Sequence, residues 1–136
     1  MQLTDVSDPI ALARQMIDIP SVSGQEGPLA DAVEAALRDA GFGTVPALEI
    51  LRDGDAVCAR TRLGRGQRLI LAGHLDTVPI SPRTDNVPGS IESHENLESL
   101  ESLEDLGGTG AQDGQGGQTV VWGRGSVDMK GGIAVG

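Results

Sequence analysis

Two short segments of the chain carry side chains that could hold a metal ion. In the first, His74 and Asp76 lie two residues apart, and on an extended backbone side chains at that spacing leave the same face. One of them could ligate a cation while the other orients the first ligand or influences a metal-bound water. A His-x-Asp pair is weak evidence by itself, because such pairs often arise by chance.

The second segment places Asp128 after Gly123-Arg124-Gly125, where glycines allow a loop to bring a carboxylate close to another part of the chain. The alternative is an ordinary glycine-rich turn. The segment lacks the phosphate-loop pattern, and Asp128 stands where a dinucleotide motif has its third glycine, so a nucleotide role has no support. Arg124 and Lys130 could bind a substrate carboxylate, but we favour a role in holding the loop.

Two helices are predicted ahead of the first segment. Asp8 caps the first helix, whose apolar residues recur at helical spacing until Pro20 closes it. The second helix begins near either Ser23 or Pro28 and carries an apolar stripe that ends at Gly41. Both helices are expected to pack on a sheet.

Four segments have the composition of strands: Ala47–Arg52, Ala56–Arg62, Arg68–Ala72 and Thr119–Trp122. Asp53-Gly54 is the predicted hairpin turn between the first two. The third is apolar without alternation, so we expect a central strand that is covered on both faces. Because ligand sites in open α/β sheets lie at the carboxyl ends of strands, the polar residues that follow Ala72 are well placed for function. The predicted fold class is therefore α/β, with helices packed on a central sheet.

The net charge of −10 comes mostly from one segment, residues 90–118, which holds seven acids and no Lys or Arg. Its leucines repeat every three residues, which does not keep them on one helix face, and its second half has the glycine content of a linker. We predict that this insert is mobile. The rest of the chain is close to neutral and shows no basic face, which disfavours nucleic-acid binding.

The single cysteine, Cys58, cannot form an internal disulfide, and the chain opens without a charged and apolar leader. These features predict a cytoplasmic protein. A membrane role is disfavoured, because no apolar run approaches the ~20 residues needed to cross a bilayer. Cys58 lies in a predicted strand between two small apolar residues, so a buried thiol is the favoured interpretation over a nucleophile.

The two segments together resemble a known family. Gly73-His74-Leu75-Asp76-Thr77-Val78-Pro79, taken with Gly123-Arg124-Gly125-Ser126-Val127-Asp128-Met129-Lys130-Gly131-Gly132, is similar to the paired signature of the zinc-dependent aminoacylase, carboxypeptidase and deacylase superfamily. Ile19-Pro20-Ser21-Val22-Ser23-Gly24 also matches that superfamily. The opening region and Asp85-Asn86-Val87-Pro88 are most similar to succinyl-diaminopimelate desuccinylases of actinobacterial type.

The resemblance implies that His74 ligates one metal, that Asp128 bridges two metals, and that Asp76 is the catalytic carboxylate that tunes His74. Two zinc ions would be the cofactors, with cobalt as a possible substitute. The reaction would be hydrolysis of N-succinyl-LL-2,6-diaminopimelate to succinate and LL-diaminopimelate by a homodimeric parent enzyme. An acetylornithine deacetylase, a related peptidase and a non-catalytic metal-binding or partner-binding remnant remain alternatives.

The resemblance also divides the chain. Residues 1–89 and 119–136 would form the N-terminal part of a catalytic domain, interrupted by the insert at 90–118. The family's catalytic glutamate, its remaining ligands and its lid or dimerisation domain have no counterpart in the sequence. We therefore expect a truncated fold and no activity from the isolated chain.

Overall fold

The computed structural model describes residues 2–39, 48–81, 88–94 and 118–136. Within them lie three helices and two antiparallel sheets of two strands each. The helices are α1 (Pro9–Ile17), α2 (Gly27–Asp39) and α3 (Lys130–Val135), and the strands are β1 (Leu48–Asp53), β2 (Ala56–Thr61), β3 (Ser90–His94) and β4 (Gln118–Trp122). None of these helices is both long and apolar enough to cross a membrane.

Helix α1 begins as the sequence predicts. Oδ1 of Asp8 accepts hydrogen bonds from the backbone N–H groups of Ile10 and Ala11, at 2.9 and 3.2 Å. These bonds satisfy donors that have no partner inside the helix, and Pro9 fits the first turn because it lacks an N–H. The buried face of the helix includes Met16 and Ile17.

Helix α2 begins at Gly27, next to Pro28 rather than at Ser23. Leu29, Ala30 and Ala32 are buried on it, as expected for an apolar stripe with helical period. Its predicted end at Gly41 lies outside the described residues. The core joins both helices to the start of the chain, through the buried side chains of Leu3, Ala13, Met16, Ile17, Ile19, Leu29, Ala30 and Ala32.

Strands β1 and β2 form the predicted hairpin, with Asp53 opposite Ala56. The two-residue loop is Gly54-Asp55, one residue later than predicted, and Gly54 has a φ of +55°. Prediction of a buried thiol at Cys58 is wrong, since this residue is exposed. Cys58 pairs with Leu51, which is exposed as well, so the two side chains share a face of the hairpin that is left uncovered at this pair.

Strands β3 and β4 pair from Ser90 opposite Trp122 to His94 opposite Gln118. The strand predicted at Thr119–Trp122 is thus confirmed. Residues 90–94 were predicted to be part of a mobile insert, and there the structure differs, because they form a strand against β4. The rest of the insert, residues 95–117, lies outside the described residues, and the division of the chain into domains stays a prediction.

The prediction of a central strand at Arg68–Ala72 is wrong. These residues form no strand, and Leu69, Ile70 and Leu71 are 84, 77 and 69% exposed. A central strand needs hydrogen-bonded neighbours on both edges, and neither of the two sheets pairs with this segment. In the part of the chain that the structure describes, the α/β fold consists of helices with two small antiparallel sheets rather than of helices on a central sheet.

Candidate metal site

His74 and Asp128 meet in space although 54 residues separate them in the sequence. Nε2 of His74 lies 2.9 Å from Oδ1 of Asp128. The imidazole is about half exposed, and the Asp128 side chain is 84% exposed. The structure therefore brings the two predicted metal ligands together at an accessible position.

Asp76 lies on the other side of the same ring. Its Oδ1 is 3.0 Å from Nδ1 of His74, and its backbone carbonyl oxygen is 3.1 Å from that nitrogen. Both groups are acceptors, so this contact needs a proton on Nδ1, and in the absence of a cation the 2.9 Å contact to the Asp128 carboxylate likewise needs one on Nε2. Asp76 and Asp128 thus face opposite nitrogens of His74, which suits one carboxylate to orient the ring and the other to share a cation with it.

Ser23 completes this arrangement and was not among the predicted site residues. Its Oγ donates a 2.6 Å hydrogen bond to Oδ2 of Asp76. The sequence suggested a helix cap for Ser23, because Glu26 follows at capping-box spacing, but Glu26 accepts instead from the backbone N–H of Gly24. The contact to Asp76 spans 53 residues, and the similarity of residues 19–24 to the superfamily was the available signal for it.

The segment before α2 holds the His74 segment in place. The backbone N–H of Thr77 donates to the carbonyl of Ser21 at 2.8 Å, and the N–H of Ser23 donates to the carbonyl of Thr77 at 3.2 Å. Oγ of Ser21, which is fully buried, donates to the carbonyl of Leu75 at 2.6 Å. These bonds fix the backbone on both sides of Asp76, so the site depends on the segment between α1 and α2 rather than on residues 68–72.

Lys130 anchors the loop that carries Asp128. Its side chain is buried, and Nζ donates to the carbonyls of Met16 and Ile19 at 3.0 and 2.7 Å. Burial lowers the pKa of Lys130 to about 8. These bonds support the favoured interpretation that Lys130 holds the loop. To bind a substrate carboxylate instead, the ammonium group would have to break both hydrogen bonds. The carbonyls of Met16 and Ile19 would then be left without a donor, which is costly for buried groups.

Gly125 lets the same loop approach its neighbours. It has a φ of +85°, a conformation that favours glycine. A Cβ at this position would lie 2.9 Å from Cγ2 of Thr77 and 3.2 Å from the Lys130 stem. For Arg124, Nε is buried and has no hydrogen-bond partner in the described part of the chain, and the sequence alternatives for this residue stay open.

The charges around His74 shift two pKa values. The hydrogen bond to Asp128 raises the pKa of His74, and the carbonyl of Asp76 adds to the effect. The hydroxyl of Ser23 lowers the pKa of Asp76, helped by the charge of His74. Asp76 is consequently ionised at neutral pH, and a proton on Nε2 of His74 competes with any cation for that position.

An open pocket of about 330 Å³ adjoins these groups, lined by His74, Asp76, Asp128 and the loop from Gly123. An imidazole nitrogen and a carboxylate that meet at its wall are a donor set that fits zinc. Among the described residues no group of three or more His, Cys, Asp or Glu side chains is placed to bind one ion. At this site Asp76 cannot serve as a third ligand beside His74 and Asp128, because its carboxylate faces Nδ1 and the metal position is at Nε2.

Comparison with known proteins relates the chain to one class of enzyme, the succinyl-diaminopimelate desuccinylases, although no family model matches it. The desuccinylase of Corynebacterium glutamicum is 39% identical over 130 residues, which make up 96% of this chain and 27% of that enzyme. The desuccinylase of Methylocella silvestris is 34% identical over 132 residues, covering 92% of this chain and 27% of its own length.

A Mycobacterium tuberculosis protein, provisionally named a succinyl-diaminopimelate desuccinylase, is 50% identical over 88 residues, which make up 65% of this chain and 23% of that protein. The chain thus spans about a quarter of the length of the curated relatives it matches. The resemblance to succinyl-diaminopimelate desuccinylases that the sequence predicts is confirmed. The roles of His74, Asp76 and Asp128 stay predictions.

Proposed function

We propose that this chain supplies part of the metal site of an amide hydrolase that converts N-succinyl-LL-2,6-diaminopimelate to succinate and LL-diaminopimelate. The observation that carries the proposal is the 2.9 Å approach of His74 and Asp128, in a chain related to desuccinylases over 96% of its length. The same resemblance supports zinc as the metal, with cobalt as a substitute, and a homodimeric parent enzyme in the cytoplasm.

His74 would bind the metal through Nε2, because Nδ1 donates to Asp76. Asp128 would hold the metal together with His74, and the resemblance gives this carboxylate the role of a ligand shared by two ions. When bound, a pair of zinc ions supplies Lewis-acid polarisation of the scissile amide carbonyl. Asp76 would keep the proton on Nδ1 and so keep the Nε2 lone pair directed at the metal position.

A non-catalytic metal-binding or partner-binding role is the second candidate. It is favoured by one observation: the described residues bring together one imidazole and one carboxylate at the metal position, whereas a catalytic zinc usually has three protein ligands. On either account we expect the isolated chain to bind zinc weakly and to hydrolyse no substrate. The two candidates differ in what the chain does when the remaining groups of the site are supplied.

Metal binding tests the ligand assignment. Calorimetric titration of the purified chain with zinc is expected to show weak binding that is lost in both His74→Ala and Asp128→Asn. The matched control is His94→Ala, which removes the other histidine of the chain and should bind zinc as the wild type does. Tight binding that survives His74→Ala would contradict the assignment.

A chimera tests the reaction. The 130 matched residues of the Corynebacterium glutamicum desuccinylase would be replaced by this chain, and amine release from N-succinyl-diaminopimelate and N-acetylornithine would be followed. We expect turnover of the succinyl substrate that disappears in Asp76→Ala. Preference for N-acetylornithine would favour the acetylornithine deacetylase alternative. A folded, zinc-loaded chimera without activity on either would favour the non-catalytic role.

A further inference from the structure

We infer that Ser23 is a positioning residue for the metal ligand His74, acting through the carboxylate of Asp76. This inference rests on the proposed function, since it assigns Ser23 a part in the same site. Three consecutive contacts carry it: Ser23 Oγ to Asp76 Oδ2 at 2.6 Å, Asp76 Oδ1 to His74 Nδ1 at 3.0 Å, and His74 Nε2 to Asp128 Oδ1 at 2.9 Å.

The hydroxyl of Ser23 is attached to a fixed piece of backbone. Its own N–H donates to the carbonyl of Thr77, and the carbonyl of Val22 accepts from the N–H of Gln25 in the turn that follows. Val22 and Thr77 also form a parallel bridge. The backbone of Ser23 is therefore fixed against Thr77, the residue that follows Asp76. This places the Ser23 hydroxyl within reach of the Asp76 carboxylate.

Asp76 needs such a partner because its side chain is 41% exposed and can rotate. With Oδ2 held by Ser23, Oδ1 stays opposite Nδ1 of the imidazole. In the neutral ring the proton then stays on Nδ1, so that Nε2 is unprotonated and can share a cation with Asp128. Without the hydroxyl, the carboxylate can turn toward water, and the ring loses the contact that fixes its tautomer and its orientation.

The same geometry argues against Ser23 as a nucleophile. A serine nucleophile gives its proton to an adjacent base, usually the nitrogen of a histidine. Here the hydroxyl donates to the carboxylate, and both ring nitrogens of His74 face aspartate oxygens instead. In the described part of the chain, Ser23 thus contacts no histidine nitrogen, and the base it does contact, the Asp76 carboxylate, has a lowered pKa that makes it a poor acceptor of the serine proton.

The test uses the full chain with ¹⁵N-labelled histidine, in a His94→Ala background that leaves His74 as the only histidine. Ring nitrogen shifts are recorded without metal on the alkaline plateau of a pH titration, because the contact with Asp128 raises the pKa of His74 above the ordinary value. Co²⁺ affinity is measured from its visible absorption. Ser23→Ala is expected to lower the population of the Nδ1–H tautomer and to weaken Co²⁺ binding about tenfold. Ser23→Thr, which keeps the hydroxyl, should restore both.

Ser7→Ala is the matched control, because Ser7 is exposed in the turn before α1, and it should change neither readout. Ser23→Cys keeps the size of the side chain but has a weak donor, so it gives the same test if the alanine variant fails to fold. Wild-type tautomer and Co²⁺ affinity in Ser23→Ala, or failure of Ser23→Thr to restore them, would overturn the inference. Absence of Co²⁺ binding by the wild type would count against the proposed function, whereas the metal-free tautomer would still decide the role of Ser23.

Discussion

The buried faces of α1 and α2 and the segment 68–72 are similarly apolar, yet only the helices are packed. Ile17 and Leu29 are fully buried, whereas Leu69 and Ile70 are 84 and 77% exposed. An amphipathic helix buries its stripe as soon as one apolar surface covers it. A central strand needs a hydrogen-bonded neighbour on each edge and a cover on each face. The apolar composition of a segment thus predicts that it could be buried. Whether it is buried depends on the elements that pair with it or cover it.

The comparison also explains why the candidate site is ordered independently of the exposed segment. Only Gly73 separates His74 from residues 68–72, but the surroundings of His74 are tied to the segment between α1 and α2 through Ser21 and Ser23, and to α1 through Lys130. The packed region, rather than a central strand, positions the groups that could bind a metal. A pair of matched substitutions separates these two regions, and two further changes measure the anchor of the metal loop and the β1–β2 hairpin.

The largest difference is expected between matched large-to-small substitutions. Leu29→Ala should lower the free energy of unfolding by about 2–5 kcal/mol, because it removes a fully buried side chain and leaves a cavity. Ile70→Ala should change it by about 0.5 kcal/mol or less, because Ile70 is largely exposed. Urea unfolding followed by circular dichroism measures both. Equal losses would mean that residues 68–72 are packed in solution.

A smaller loss is expected when the anchor of the metal loop is removed. Lys130→Met keeps an apolar stem but leaves the carbonyls of Met16 and Ile19 without their donor, at a cost of about 1–3 kcal/mol. Zinc affinity should fall as well, since Asp128 lies on the released loop. Arg38→Met is the control, because it breaks only an exposed pair with Glu34 and should cost about 0.5 kcal/mol or less. An unchanged zinc affinity in Lys130→Met would show that the anchoring of the loop by Lys130 does not position Asp128 for metal binding.

The smallest effect is expected in the β1–β2 hairpin, which is packed on one face only. Hydrogen bonds from Arg60 and Arg62 lower the pKa of Glu49 from 4.5 to about 2. A lowered carboxyl pKa stabilises the folded chain above 4.5, and that contribution disappears as the pH falls toward 2. The stability difference between wild type and Glu49→Gln should therefore shrink across this range and at high salt. A difference that is independent of pH would show that the ion pairs add nothing.

The sequence predicted best what depends on near neighbours. Asp8 caps α1 through residues two and three positions away, and the β1–β2 loop fell within one residue of its prediction. The errors at Cys58 and at Leu69 to Leu71 share one cause, because burial depends on what covers a segment and the local pattern does not encode that.

The candidate site, like the fold, was predicted from the sequence only as far as local spacing reaches. The spacing of His74 and Asp76 indicated a shared face, but Asp128 could be joined to them only by the resemblance to a family, since 54 residues intervene. Ser23 was missed as a site residue because its local pattern favoured a helix cap. A contact between two turns that are 53 residues apart leaves no periodic signal in the sequence.

The most direct test of the metal site is the assignment of the nitrogen of His74 that binds zinc. Histidine ¹⁵N spectra of the full chain, recorded before and after zinc addition, distinguish a coordinated nitrogen from a protonated one. The contacts to Asp76 and Asp128 predict that zinc shifts Nε2 of His74 while Nδ1 keeps its proton. Coordination through Nδ1, or a zinc-dependent shift confined to His94, would contradict this account.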